Sequence, residues 1–245
     1  LSFDKFIVLD NSFRDSRVFK LKESRVEVIK IMRPLTAEER RMVVRATAMG
    51  KGTPLEILAS HEGDSVKRRS MQTLRPGIWL NDEVNYFLKN CLKNRDIKKC
   101  AKEQGRRRSH FFNSFFVQSM FDEKNRNRKL RRRYNYEKVK RWSKKVPGKD
   151  VFNLKYIFCP INVNKTHWTV AVIFMEDKRI QYYDSFGNTD MAKLNGLLQY
   201  VKDEYRAKNG KEMAEMDAME WKLVPCQKDT PQQKNGELCL SVVLG

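Results

Sequence analysis

The sequence is poor in the features that mark several large classes of protein. No uninterrupted apolar run approaches the roughly 18 residues needed to cross a bilayer, so no membrane span is expected. The amino end, Leu1-Ser2-Phe3-Asp4, carries neither an initiating Met nor a secretory signal, and the chain reads as a soluble one that begins inside a longer protein. Five cysteines, Cys91, Cys100, Cys159, Cys226 and Cys239, include no CxxC pair, and the three histidines do not join them at zinc spacing. A metal site is therefore not expected, and the odd count favours reduced thiols, as in the cytosol or nucleus, over a disulfide framework. Gly50-Lys51-Gly52-Thr53 lacks the full GxxxxGK[ST] spacing and a preceding apolar strand, so it does not read as a phosphate-binding loop. No internal repeat is visible.

What is present fits a globular protein with one main domain: 245 residues, 40% hydrophobic, are enough for a substantial core. Lys and Arg outnumber Asp and Glu by 50 to 30, a formal charge of +20 that attracts acidic macromolecules at low salt. Residues 1–33 mix apolar and charged positions; Val26 and Val28 could share a strand face, but Ile29 and Ile31 break the alternation. Thr36 and Glu39 have the capping-box spacing, so a helix opens there and stops near Gly50. A polar stretch, His61–Ser70, precedes Trp79-Leu80-Asn81-Asp82, where Asn81 or Asp82 could cap a helix carrying Val84, Phe87, Leu88, Cys91 and Leu92 at helical spacing. Three strand-like runs follow, Lys155–Ile161, Trp168–Phe174 and Arg179–Asp184, with Met175–Lys178 as a hairpin turn. Asp190 caps a helix striped by Leu194, Leu197, Leu198, Val201 and Tyr205, and a polar, Met-punctuated insertion over Lys208–Glu220 leads to a short strand at Trp221–Val224.

Three positions could carry chemistry. His167 begins a strand, and Asp184 ends the neighbouring one, so a hairpin brings imidazole and carboxylate to one sheet end, where the acid could orient the base. A purely structural pair would look the same. Cys239 precedes Leu240-Ser241-Val242-Val243-Leu244, which could start a buried helix; a thiol at a helix N-terminus beside an imidazolium has a lowered pKa. Taken alone, a small buried hydrophobe is its plainer reading.

Seven segments, in this order, decide between these readings: Trp79-Leu80-Asn81-Asp82, Phe112-Asn113-Ser114-Phe115-Phe116, Trp142-Ser143-Lys144-Lys145-Val146, Pro160-Ile161-Asn162, His167-Trp168, Tyr183-Asp184-Ser185 and Pro231-Gln232-Gln233-Lys234-Asn235-Gly236. Together they resemble the motifs of the Ulp/SENP proteases, the papain-like cysteine peptidases that process and remove SUMO. The resemblance runs from about Pro34 to Cys239 and implies an α+β fold with a central mixed sheet flanked by helices. By position, His167 resembles the family's general base, Asp184 its orienting acid, Cys239 its nucleophile and Gln233 the glutamine that helps bind the oxyanion. Trp79 and Trp168 resemble the two tryptophans that enclose the modifier's Gly-Gly tail; for either one, core packing is the plain alternative.

The resemblance implies a cofactor-independent, deSUMOylating isopeptidase in residues 34–245, behind an N-terminal extension, 1–33, of no assignable role. Its partners would be SUMO or a related ubiquitin-like modifier and its conjugates, and its location the nucleus, with the cytoplasm a second site. Two departures stand out. Leu238-Cys239-Leu240 replaces the family's Asp-Cys-Gly, and the chain stops at Gly245, short of the helices that follow the nucleophile in the family. A catalytically impaired, SUMO-binding pseudoprotease is thus the alternative. The basic runs Arg106–Arg108, Arg131–Arg133 and Lys138–Lys145 suggest nucleic acid, but solvated faces, nuclear import or attraction to an acidic modifier explain them as well, and direct nucleic-acid binding is not expected.

Overall fold

The computed structural model describes residues 34–226 except 62, 76, 122–132 and 165. The extension 1–33 with its Val26–Val28 segment, Arg131 and Arg132, the Pro231–Gly236 motif, Gln233, and Cys239 with the helix start expected after it all lie outside the described residues. The described chain groups into two compact units, one up to Phe87 and one from Leu88 onward.

In the first unit, helix α1 (Ala37–Thr47) opens on the expected capping box. The Thr36 hydroxyl accepts from Glu39 N–H at 3.2 Å and the Glu39 carboxylate accepts from Thr36 N–H at 2.9 Å, which satisfies two donors of the first turn. Its far end is tied down by side chains. Arg68 donates to the Arg45 carbonyl at 2.8 Å and Gln72 to the Ala48 carbonyl at 2.8 Å, while Arg68 also pairs with Glu56 at 2.9 Å. Gly52 lies against that ion pair with φ +71°, and a Cβ there would overlap both charged groups, so this glycine belongs to a structural turn.

The polar stretch around residue 61 contains an antiparallel hairpin, β1 (Ile57–His61) with β2 (Asp64–Lys67), followed by the single-turn helix α2 (Arg68–Met71). A two-stranded ribbon buries little, and among its described residues only Val66 is fully covered, so these strands lack the apolar alternation that would announce them. Helix α3 (Asp82–Lys102) begins where the Asn81 side chain accepts from Val84 N–H at 3.1 Å.

The second unit is built on a five-stranded mixed sheet. Its spatial order is β3 (His110–Phe111), β4 (Tyr156–Val163), β5 (His167–Phe174), β6 (Arg179–Tyr183), β7 (Lys222–Val224). The three central strands are antiparallel neighbours, and the two short outer ones pair parallel. Strand β5 is buried at every position but its last, the expected profile of a central strand covered on both faces.

A five-residue helix, α4 (Phe115–Ser119), and the long α5 (Met191–Asn209) supply the packing. Asp190 caps α5 by accepting from Lys193 N–H at 3.1 Å, and Gly210 ends it in the left-handed region at φ +67°. Of the expected stripe, Leu194, Leu197 and Val201 are fully buried while Leu198 and Tyr205 are half-buried; Tyr200, on the same side, joins the buried set in a core that includes Phe112, Phe116 and Ile157. The Phe112 and Phe116 rings stack at 3.7 Å, and Tyr200 meets Phe116 edge-on at 5.0 Å. The insertion after α5 holds a short helix, α6 (Glu215–Met219), with Met216 and Met219 exposed. Arg106, Arg107 and Arg108 of the basic run pair with Glu103, Glu176 and Asp96, respectively.

Candidate active site

The strand register dictates the centre of the site. β5 begins at His167, and β6 ends one residue before Asp184. Their antiparallel pairing sets Val170 against Tyr183, so Asp184 falls opposite Thr169, two places along from His167. Residues two apart share a face of the sheet, which makes His167 and Asp184 diagonal cross-strand neighbours. His167 Nε2 and Asp184 Oδ1 are 2.6 Å apart, and the two residues are 8% and 2% exposed. A carboxylate at that distance keeps the ring proton on Nε2, so the basic nitrogen of the neutral imidazole is Nδ1.

The carboxylate is held from both directions along the chain. Asp184 Oδ1 also accepts from Phe186 N–H at 2.8 Å, and the Asp184 carbonyl accepts from Gly187 N–H at 3.0 Å. Gly187 has φ +73°, and the tight turn it completes folds Phe186 back so that its ring stacks on the imidazole, with centroids 4.4 Å apart. On the other side Cys226 Sγ accepts from Asp184 N–H at 3.3 Å and donates to the Asp184 carbonyl at 3.2 Å. Deeper on the same sheet face, the Thr169 hydroxyl donates to that of Tyr182 at 2.9 Å; burial pushes the Tyr182 phenol far above its ordinary value, so it stays protonated.

The other sequence candidates are distributed unevenly. Trp168 follows His167 on β5, faces the opposite side of the sheet and is 3% exposed, whereas Trp79, in the first unit, is 49% exposed. The nucleophile candidate Cys239 and the oxyanion candidate Gln233 lie outside the described residues. His110 differs sharply from His167: burial, with the charges of Lys89, Lys93 and Arg108 around it, lowers its pKa to about 4, and it packs edge-on to Phe112 as a neutral ring. Among the described residues no group of His, Cys, Asp and Glu side chains could hold a metal ion, and no helix is long and apolar enough to cross a membrane.

Phe186 and Cys226 are contacts of the pair that sequence reasoning did not find. Phe186 carried a faint signal, its place between Asp184-Ser185 and Gly187 in a turn. Cys226 carried none, because it meets Asp184 only through the pairing of β6 with β7.

Against this geometry, the model of the Ulp1 protease family's C-terminal catalytic domain matches residues 78–244. The ubiquitin-like-specific protease ESD4 of Arabidopsis thaliana is 34% identical over 224 residues, covering 90% of this chain and 42% of the relative. Human sentrin-specific protease 2 is 33% identical over 195 residues, covering 79% and 29%. The chain therefore spans less than half the length of these curated relatives. Among solved structures, the C-terminal Ulp1 protease domain in complex with Smt3, the yeast ortholog of SUMO, superposes with a TM-score of 0.58 at 28% identity, over 83% of this chain and 78% of that one. The Ulp1-like SUMO protease catalytic domain of Chaetomium thermophilum, 23% identical over 86% of this chain and 76% of that one, shares the fold at a TM-score of 0.61.

The mixed five-stranded sheet with its packed helices is thus the α+β architecture of the Ulp1 protease domain. The chain belongs to the Ulp1 protease family.

Proposed function

We propose that this domain is a cysteine isopeptidase that cleaves after the C-terminal Gly-Gly of SUMO or a related modifier, in deconjugation, precursor processing or both. The observation that carries the reading is the 2.6 Å contact between His167 and Asp184 at the end of β5 and β6, in a member of this family. Cys239 is the nucleophile, Gln233 an oxyanion donor, and Trp79 and Trp168 enclose the Gly-Gly tail.

The chemistry follows from the tautomer. With Nε2–H committed to Asp184, Nδ1 of His167 accepts the Cys239 thiol proton, and Asp184 stabilises the imidazolium that results. The thiolate attacks the carbonyl carbon of the terminal glycine. The Gln233 amide and the Cys239 backbone N–H stabilise the oxyanion, each such donor contributing about 3 kcal/mol. Collapse expels the leaving amine, which takes the proton from His167. The ring then deprotonates a water that hydrolyses the thioester, returning the thiol and a free modifier carboxylate.

A SUMO substrate with a C-terminal fluorogenic amide, assayed beside a SUMO probe bearing a C-terminal electrophile, tests this. Turnover together with labelling at Cys239 is the expected result. Labelling at Cys159 or Cys226 with Cys239 untouched in folded protein would reject the nucleophile. Binding without turnover would support the pseudoprotease reading instead, which the Leu238-Cys239-Leu240 sequence favours. The +20 charge supports a nuclear location, which imaging of the tagged full-length protein would test.

A further inference from the structure

Strand β7 pairs parallel with β6 from Arg179↔Lys222 to Gln181↔Val224 and goes no further. The next residue is Pro225, which has no N–H to give to a ladder and ends the strand there. Asp184 lies just beyond the paired part of β6, and its peptide groups are not served by that ladder. Cys226, one residue past the proline, supplies the replacement from its side chain: Sγ accepts from Asp184 N–H at 3.3 Å, and the thiol donates to the Asp184 carbonyl at 3.2 Å. One short side chain therefore grips both backbone groups of the residue whose carboxylate orients His167. Asp184 is 2% exposed, so water cannot easily replace the lost acceptor if the thiol is removed.

We infer that Cys226 is a positioning residue, a backbone clamp that fixes the Asp184 carboxylate for its 2.6 Å contact with His167 Nε2. It holds the Asp184 backbone and acts through that residue. A thiol suits the place because it both donates and accepts at the longer distances of sulfur. Serine offers the same two roles on a shorter bond and so restores the clamp in part; alanine removes it. The inference rests on the proposed roles of His167 and Asp184 for its kinetic consequence, but its structural content, that Cys226 fixes the His167–Asp184 hydrogen bond, does not.

The test uses the whole protein with Cys226→Ala and Cys226→Ser, thermal unfolding being followed in parallel. With histidine 15N-labelled, the ring N–H proton of His167 is observed by NMR and assigned by its loss in His167→Gln; only three histidines need be distinguished. A buried Nε2–H held on a carboxylate gives a downfield, slowly exchanging proton. Cys226→Ala is expected to shift that signal upfield or lose it to exchange, and Cys226→Ser to retain it between the two. In the SUMO assay, kcat of the alanine variant falls about tenfold with KM within about twofold, since transition-state alignment is lost and substrate contacts are kept, and serine recovers a part. If Cys226→Ala leaves the signal unshifted, the clamp is refuted; should that variant unfold, an unshifted signal in Cys226→Ser, with its shorter reach, refutes it as well. A parent protein with the downfield proton but no SUMO turnover overturns the proposed function and leaves the clamp decided by NMR.

Discussion

Asp184→Asn isolates the charge of the acid from its shape. The amide can keep Oδ1 where the carboxylate has it, accepting from His167 Nε2–H and from Phe186 N–H, so the fold should hold. What disappears is the negative charge facing the imidazolium formed when Cys239 loses its proton. With charge centres about 4 Å apart and an effective dielectric near 20, that attraction is about 4 kcal/mol. Part of it is recovered by the amide dipole and by hydration of the rim, leaving about 3 kcal/mol, or a factor of about 100 in rate at 1.36 kcal/mol per decade. Should the amide rotate its NH2 toward Nε2, the proton moves to Nδ1, the ring can no longer take the thiol proton, and the loss grows toward the roughly ten-thousandfold scale of a wrong-tautomer triad. The assay is steady-state cleavage of the fluorogenic SUMO substrate, with calorimetric SUMO affinity and thermal unfolding as controls. Affinity and melting temperature should stay near parental values while kcat falls. A folded variant that turns over within threefold of the parent would show that Asp184 is a structural partner of His167 and would refute the argument.

The two tryptophans should separate when replaced by alanine. Trp79→Ala, at a half-exposed site, should leave thermal stability almost unchanged and lower SUMO kcat/KM about ten- to a hundredfold, whereas Trp168→Ala should itself cost about 3–5 kcal/mol of stability measured by urea unfolding. Leu197→Ala, fully buried on α5, should destabilise the domain by about 2–5 kcal/mol in the same measurement, with SUMO affinity of the folded fraction unchanged. Glu204 on α5 accepts from the Tyr136 hydroxyl at 3.1 Å, and burial, reinforced by the charge of Asp203, holds its carboxyl above the ordinary 4.5. The folded state therefore binds the Glu204 proton more tightly than the unfolded one, and this group favours folding below that ordinary value and opposes it as pH rises through the raised one. Glu204→Gln, which keeps an acceptor for Tyr136, should raise the melting temperature at pH 7 to 8 and lose that advantage near pH 4.

How much of this was legible before the structure depended on the range of the interaction. The caps at Thr36, Asn81 and Asp190 are local chemistry, written within three residues of the groups they satisfy, and each is found where its side chain suggested. Strands β4 to β6 were visible because a buried sheet draws apolar residues into the sequence, as continuous runs over Tyr156–Ile161 in β4 and Val170–Phe174 in β5. β1, β2 and the two-residue β3 were not, since a ribbon open to water or a pairing of two residues asks for no such pattern. The ends of the Phe112–Phe116 motif, Phe112 and Phe116, are among the best buried of the described residues.

The His167–Asp184 pair was reachable because a hairpin converts spacing into proximity. Once the turn at Met175–Lys178 is recognised, the register of β5 on β6 follows, and so does the meeting of two residues 17 apart. Cys226 shows where that reasoning stops. It is 42 residues from Asp184, with the whole of α5 between them, and it arrives by a parallel pairing. Parallel strands are joined by crossovers whose length does not determine register. Only the site's first partner was therefore encoded in spacing; its supports were set by tertiary pairing. The same distinction explains the tryptophans. Motif order assigned Trp79 and Trp168 equal roles, but motif order carries no burial, and a residue inside a covered central strand cannot be as accessible as one on the segment leading into α3.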